Sequence, residues 1–272
     1  MNLDTTVIEQ YFLDKSIENA IDHWIFKSIV PGEHLFEEPP KEDYYKIKEI
    51  YEILLESLKD FKPWNLPIWE QFFGGYNGVP EDIIIYIIVG SPNPYDAMVR
   101  QDREGNKSII FDLARIGSYS KDINEIEEII ISLITHEVAH IYIGKEYKYP
   151  SMEDSIYNIL QHIVFDEGIA HFLSFNRDLL SLDWYTEDML DRREKAYLTL
   201  LNNLNNNLKD MKKEIITKAD TGPYWEKFAA ISGLFGIYDY YNSHSKDLAC
   251  FREIFEGGPK FLLEFIMSYN ER

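Results

Sequence analysis

The amino-acid sequence predicts an α+β fold that is mostly helical, with a small sheet in the first half and a helical second half. Two observations lead to this prediction. Short runs rich in β-branched residues occur within residues 82–114, and apolar residues recur at helical spacing over much of the remaining chain. Hydrophobic residues make up 45% and charged residues 27% of the 272 residues, as in a globular protein. We expect a single domain with two lobes, about 1–150 and about 151–272.

The first lobe contains the predicted sheet. Two helices are expected before it, at 5–29 and 39–61, and the stretch 62–80, rich in Gly, Pro and aromatic residues, is expected to be a loop. The run 82–90 is short and β-branched, as in a buried strand. Two further strands are predicted to form a hairpin around the turn DREGNK. These hairpin strands are 97–101 and 108–114.

A long helix is predicted after the hairpin, at about 122–143. Asp122 stands where a residue caps a helix N-terminus, and Gly144 stands where a helix commonly ends. Further helices are predicted at about 155–175 and about 186–217. Three more are predicted to close the chain: 223–242, 246–256 and 259–269. The second lobe is therefore expected to be helical.

The charge balance argues against several classes of partner. The formal net charge is −20 at pH 7 and no basic stripe is present, so we expect neither nucleic-acid binding nor membrane binding. The longest apolar run, 83–90, is too short to span a bilayer, and charges interrupt the N-terminus, unlike a signal peptide. The single cysteine, Cys250, excludes a disulfide framework. These features favour a cytoplasmic protein.

Two histidines lie four residues apart in the long helix, in the string His136-Glu137-Val138-Ala139-His140. Four residues turn a helix by about 400°, so both imidazole rings leave the same face. Two neutral histidines at this spacing can bind one zinc ion together, and Glu137, on a neighbouring face, can reach a water on that ion. The alternative is a pair of hydrogen-bonded histidines in a helical protein that binds no metal.

A third ligand is expected from the helix at about 155–175. Glu167 shares a side of this helix with apolar residues, and a carboxylate that faces inward needs a partner such as a metal ion. Asp166 points elsewhere and is the weaker candidate. Gly168 and Ala170 are small, which lets two helices approach each other closely. Two imidazoles and a carboxylate suit zinc, and they also accept cobalt, nickel or iron.

The combination of His-Glu-x-x-His with a downstream Glu-Gly-x-Ala helix resembles the gluzincin group of zinc metallopeptidases. The resemblance is best over about 108–176, and the segment TGPYWEKFAAISGLFGIYDYY near the C-terminus is similar to the tail of bacterial proteins classed only as zinc-dependent peptidases. It implies that His136, His140 and Glu167 bind one zinc ion per chain, and that Glu137 is the catalytic base. It also implies a zincin-like fold, with a small mixed sheet packed on the metal-binding helix.

The activity implied by the resemblance is hydrolysis of peptide bonds by a metal-activated water, with Glu137 as general base. The oxyanion needs a further hydrogen-bond donor. Tyr224, expected at the start of a helix, is the first candidate, with His171 and His162 as alternatives. His171 occupies a position where better-known gluzincins often carry an acid. The candidates for support around the ligands are therefore His171, Asp166 and His162.

The expected partner is a peptide or protein substrate. In zincin folds an extended peptide pairs with the edge of the sheet, and the segment SIIFDLARI (108–116) is the candidate for that sheet. One alternative function is a peptidase-like scaffold without catalytic activity that acts as a metal-bound binding or regulatory protein. The intact Glu137 argues against this alternative, because an inactive scaffold has no chemical need for the base.

Overall fold

The structure is a computed structural model that describes four stretches of the chain. They are residues 2–30, 32–75, 78–205 and 211–269. The chain separates into two compact units, each built from two segments. The first unit is Met1–Pro63 with Gly78–Ile141, and the second is Trp64–Asn77 with Tyr142–Arg272. The single domain with lobes that meet near residue 150 stays a prediction.

Helices make up most of the described residues, as predicted. In chain order they are α1 (Thr6–Asp14), α2 (Tyr44–Lys59), α3 (Leu66–Phe73), α4 (Leu113–Gly117), α5 (Ile123–Glu146), α6 (Ile156–Ser174), α7 (Glu187–Leu204), α8 (Lys212–Asp220), α9 (Phe228–Ser243) and α10 (Ala249–Tyr269). None of the helices within the described stretches is long and apolar enough to cross a membrane.

A four-stranded mixed sheet lies in the first unit. Its strands are β1 (Asn2–Asp4), β2 (Ile84–Ile88), β3 (Ala97–Gln101) and β4 (Lys107–Asp112). The order is β1-β2-β4-β3, in which β1, β2 and β4 run parallel and β3 runs antiparallel to β4. The predicted small sheet and the β3–β4 hairpin are confirmed. The sequence did not predict β1, since three residues are too few to show a strand pattern.

The segment 108–116 does not form a peptide-binding edge of this sheet. β4 pairs with β2 on one side and with β3 on the other, so its backbone groups are already used. The chain then turns into α4, where the buried side chain of Asp112 caps the helix by accepting the N–H of Arg115. The edges within the described part of the sheet are β1 and β3.

The predicted helix at 5–29 is wrong beyond residue 14. α1 ends where Lys15 adopts a left-handed conformation (φ 54°), and the following segment forms turns and a short 3₁₀ helix at Trp24–Lys27. Ile25 and Phe26 from this segment pack with Val7 of α1 and with sheet residues in one buried cluster. Burial of these side chains over the sheet therefore overrides the helical pattern of the sequence.

The predicted loop at 62–80 is also wrong in part, because it contains α3. Pro67 lies in the first turn of this helix, where proline is well tolerated, and Ile68, Trp69 and Phe72 are buried. The abundance of Gly, Pro and aromatic residues concealed this short helix. In the second unit, Trp69 packs edge-on against Tyr142 with ring centroids 5.8 Å apart.

The helices of the second unit follow the prediction with three corrections. The helix predicted at 186–217 is two helices, α7 and α8, and the residues 206–210 lie outside the described stretches. Tyr224 begins a 3₁₀ turn (Tyr224–Glu226) that precedes α9, so it does not open the helix itself. The predicted break before Pro259 appears as a kink within α10 at Gly258, where φ is 72°.

α6 and α9 cross at two glycines. A Cβ atom built on Gly168 would lie 2.6 Å from the Cα of Gly233, and one built on Gly233 would lie 1.9 Å from the carbonyl oxygen of Val164. No side chain fits at such distances, because the atoms that it would meet belong to the backbone and cannot move aside. The predicted close approach of a helix at Gly168, beside Glu167, is thus confirmed.

We expect Gly233→Ala to destabilise the second unit, because its methyl group must push α9 away from the backbone of α6. The loss in free energy of unfolding should be at least about 2 kcal/mol. Gly236→Ala should cost less, since its Cβ would meet the movable side chain of Ile266. Gly75→Ala, which meets nothing within 4 Å, is the matched control and should change stability by less than about 0.5 kcal/mol. Urea denaturation measures all three, and equal stability of the Gly233 and Gly75 variants would contradict the crossing.

Candidate metal centre

The first pair of candidate ligands lies on α5 in the first unit. The Nε2 atoms of His136 and His140 are 3.0 Å apart, and both side chains are half-buried. The two rings meet edge to face, with centroids 4.7 Å apart. Two ligand atoms held at about 2.0–2.1 Å by one tetrahedral zinc ion lie about 3.3 Å apart. The spacing of the two nitrogens therefore fits a shared zinc ion, and it also fits a hydrogen bond between neutral rings.

α5 is regular along its whole length around this pair. The side chain of Asp122 accepts the N–H of Asn124 at 2.9 Å, which confirms the predicted N-cap. The helix extends to Glu146, three residues past the predicted end at 143, so it continues through Gly144. One face of the helix is fully buried through residues such as Ile134 and Val138. The histidines thus project from a helix whose other side is anchored in the core.

Glu137 is buried, with 5% of its surface exposed. It follows His136 directly, and one residue turns a helix by about 100°, so its carboxylate leaves α5 on a neighbouring face. A buried carboxylate is costly unless it is paired, protonated or close to a cation. An exposed glutamate would not have this cost. The burial of Glu137 therefore favours a functional role for its carboxylate.

The second pair of candidate residues lies on α6 in the second unit. Glu167 Oε2 and His171 Nδ1 are 3.6 Å apart, with side-chain exposures of 21% and 4%. The pair has the same four-residue spacing as His136 and His140. α6 begins at the predicted place, and the Ser155 side chain caps it by accepting the N–H of Asn158 at 3.1 Å. Glu167 is therefore half-buried with His171 beside it, and its role as a metal ligand stays a prediction.

Asp166 and His162 form a separate pair on α6. Their closest nitrogen and oxygen atoms are 4.0 Å apart, and the ring of Tyr149 packs edge-on against His162 with centroids 4.9 Å apart. Asp166 is thus paired with His162 on the same helix, and its weaker candidacy as a metal ligand stays a prediction. Burial raises the pKa of Tyr149 well above its usual value, and the charges of Asp220, Glu167 and Asp166 raise it further.

Tyr224 lies against His171. The two rings are stacked, with centroids 5.1 Å apart and an angle of 19° between their planes. Tyr224 is also in ring contact with Phe175 and Trp225. Burial of the hydroxyl group raises the pKa of Tyr224 far above its usual range, although 37% of the residue's surface is accessible. The phenol is therefore a hydrogen-bond donor that stays protonated at any physiological pH.

Asp220 is a neighbour of Glu167 that the sequence did not point to. It ends α8, is half-buried, and its pKa is raised from 3.8 to about 6 by burial and then by the charge of Glu167. Its own hydrogen bond, in which the Thr221 hydroxyl donates at 2.9 Å, offsets this only in part. No motif links residues 53 positions apart, so only the fold reveals this carboxylate.

Comparison with known proteins shows the family. A family model described as "Putative zinc dependent peptidase (DUF5700)" matches residues 75–242, which is more than half of the chain. The chain belongs to this zinc-dependent peptidase family. The matched residues include both histidines of α5, both residues of the Glu167–His171 pair, and Tyr224. No curated protein and no solved structure matches the chain.

Membership of the zinc-dependent peptidase family agrees with the donor groups of this chain. Imidazole nitrogen and carboxylate oxygen are both zinc ligands, and the nitrogens of His136 and His140 have a separation that fits the ion. The hydrolase class and the zinc dependence rest on the family. The gluzincin type and the roles of single residues do not follow from it.

We expect Asp220→Asn to stabilise the metal-free protein at pH 7 by about 1 kcal/mol, a modest gain because solvent screens a half-buried group. A carboxyl group with a raised pKa binds more protons in the folded than in the unfolded state, so stability falls as pH rises from about 4 to about 6. Asp220→Asn has no carboxyl group at this position and does not lose stability in this way. The free energies of unfolding of wild type and variant should therefore become equal below about pH 4. Urea denaturation across pH measures the difference. The exposed Glu194→Gln is the control, and a pH-independent effect of Asp220→Asn would contradict the electrostatic explanation.

Proposed function

We propose that this chain is a zinc peptidase of the gluzincin type, in which His136, His140 and Glu167 bind one zinc ion and Glu137 is the general base. The observation that carries the proposal is the pair of imidazole nitrogens 3.0 Å apart on α5, with the buried Glu137 between them in sequence. The family adds zinc dependence and peptidase chemistry. The group His136, Glu167 and His171 offers the nitrogen and oxygen donors that zinc prefers.

Zinc, when bound, would lower the pKa of a water molecule towards about 7 and polarise the scissile carbonyl group. Glu137 would take a proton from the attacking water and later donate it to the nitrogen of the leaving amine. Glu137 would thus act first as base and then as acid. The proton that it takes from the water would be the one that it gives to the leaving amine. The burial of Glu137 supports this assignment, because it keeps bulk water from competing for the proton.

Tyr224 would donate a hydrogen bond to the oxyanion that forms as the carbonyl carbon becomes tetrahedral. Two observations support it: the phenol is held in its protonated form by burial, and its ring lies against His171, the neighbour of Glu167. His171 and His162 remain the alternative donors. His162 is the weaker of the two, since it pairs with Asp166.

The substrate would be an extended peptide that adds to an exposed edge of the sheet. Of the two edges in the described strands, β3 (Ala97–Gln101) is the longer, and it directly precedes β4 in a hairpin. Strand addition supplies backbone hydrogen bonds that do not depend on side chains. We also propose that the sheet packs on the metal-binding helix in the zincin manner.

The purified protein is expected to contain about one zinc ion per chain. His136→Ala should weaken zinc binding and lower the zinc content of the purified protein, because it removes one of the imidazole ligands. Elemental analysis measures the content and identifies cobalt, nickel or iron if one of these is bound instead. A metal-free wild-type protein would contradict the proposed centre and support a helical protein with hydrogen-bonded histidines.

Glu137→Gln is expected to keep zinc while peptide hydrolysis falls by about 100- to 10,000-fold, the usual contribution of a general base. Glu146→Gln, an exposed glutamate at the end of the same helix, is the matched control and should retain full activity. Turnover of a peptide library with zinc-loaded proteins measures both. Equal turnover by wild type and Glu137→Gln would remove Glu137 from the mechanism. A zinc-loaded wild type that cleaves nothing would favour the binding or regulatory scaffold.

A further inference from the structure

The Glu167–His171 pair repeats the arrangement of the His136–His140 pair. Each pair lies on one helix, with its two members four positions apart, so both side chains leave the same face. Each pair also brings two donor atoms close together, at 3.0 Å for the histidine nitrogens and 3.6 Å for the Glu167 oxygen and His171 nitrogen. The two helices therefore present equivalent pairs of potential ligands.

The distance between Glu167 and His171 distinguishes two possible roles of His171. It could hold Glu167 by a hydrogen bond, or it could bind the zinc ion itself. A hydrogen bond that holds Glu167 in place would bring nitrogen and oxygen to about 2.7–3.2 Å. Two ligands of one tetrahedral zinc ion have donor atoms about 3.3 Å apart. At 3.6 Å the pair is too long for the hydrogen bond and close to the separation of two ligands.

We infer that His171 is a fourth protein ligand of the zinc ion, alongside His136, His140 and Glu167. This inference rests on the proposed function, which supplies the ion. His171 suits the role because its side chain is 4% exposed and stacks on the ring of Tyr224, which limits the orientations of the imidazole. A ligand that is already oriented loses little conformational entropy when the metal binds.

Four protein ligands have a consequence for activity. Catalytic zinc sites keep one position open for water or substrate, whereas sites with four protein ligands are closed. Ligation by His171 therefore describes a closed resting state of the peptidase. Hydrolysis requires the His171 imidazole to leave the ion, or the ion to accept a fifth ligand. Tyr224, which stacks on this imidazole, contributes to the balance between the closed and open states.

The experiment counts the imidazoles around the metal. Zinc-loaded wild type and His171→Gln are compared by X-ray absorption at the zinc edge, together with His162→Gln, a matched histidine paired with a carboxylate on the same helix. Glutamine keeps a hydrogen-bonding group beside Glu167 but removes the imidazole. We expect three imidazoles in the wild type, two in His171→Gln and three in His162→Gln. Zinc affinity alone does not decide the role, since loss of a residue that only supports a ligand also weakens binding by about 10- to 100-fold.

A second measurement tests the closed state. The three proteins are loaded with cobalt and titrated with azide, a small anion that binds an open metal position. We expect the optical spectrum of His171→Gln to respond to azide at concentrations at least about 10-fold lower than those needed for the wild type. Circular dichroism of the metal-free variants verifies that each is folded.

Two outcomes overturn the inference. One of them contradicts the zinc site as a whole, and the other contradicts only the role of His171. If the wild type takes up no divalent metal, the proposed function itself fails. If the wild type binds zinc with two imidazoles, and His171→Gln has the same count and the same azide response, the zinc site stands and His171 only positions Glu167.

Discussion

The four-residue repeat of the α-helix is the constraint on which the candidate centre depends. It places His136 above His140 and Glu167 above His171, so that each helix presents two donor atoms within 3.6 Å of each other. This works only while each helix is regular through both positions. The side chain of Asp122 supports the N-terminus of α5, and that of Ser155 supports α6. Each cap lies several turns from the donor atoms, but it stabilises the regular helix that keeps the two donors of a pair on the same face.

The charge distribution in the second unit favours a cation near Glu167. The chain carries a net charge of −20, and three carboxylates, those of Asp166, Glu167 and Asp220, act together on the pKa of Tyr149. Burial and the charge of Glu167 also raise the pKa of Asp220 to about 6. Like charges in a poorly solvated region cost free energy, and a divalent cation offsets that cost. The same carboxylates that weaken the metal-free protein thus favour the metal-bound one.

The parts of the candidate site that depend on residues close together in the sequence can be predicted from sequence alone. The same-face pairing of His136 with His140 and the cap at Asp122 follow from local spacing, and the structure agrees with both. His171 stands at the same four-residue spacing from Glu167, but it was singled out only through the resemblance to gluzincins, as a candidate oxyanion donor or supporting residue.

Long-range effects explain what the sequence did not reveal. Asp220 comes near Glu167 only because α8 packs in the second unit, and no local pattern contains that information. The segment after Asp14 has helical periodicity, yet Ile25 and Phe26 are buried in turns over the sheet. The internal position of β4 depends on its pairing with β2 on the side opposite β3, and a strand of three residues such as β1 leaves no periodic signature. In each case tertiary burial outweighs local preference.

α9 is what fixes α6 in its place. Every residue of α9 from Phe228 to Tyr241 is buried, so this helix has no solvent face along most of its length. Asp239, which is 1% exposed, is held by Arg193 at 2.8 Å and by the hydroxyl of Tyr197 at 2.9 Å, both from α7. A charge buried this deeply is costly to expose without its partners, so α7 and α9 resist sliding.

The crossing of α9 with α6 transmits this rigidity to the candidate ligands. Gly168 meets Gly233 backbone to backbone, one residue after Glu167, and a direct backbone contact leaves no side chain that could adjust to a shift. The 3₁₀ turn before α9 begins with Tyr224, whose ring stacks on His171. One buried helix therefore sets the position of Glu167 through Gly233, and the 3₁₀ turn that precedes this helix restrains His171 through Tyr224. Ligands held in this way need little reorganisation to bind an ion, which is the condition for a well-defined metal geometry.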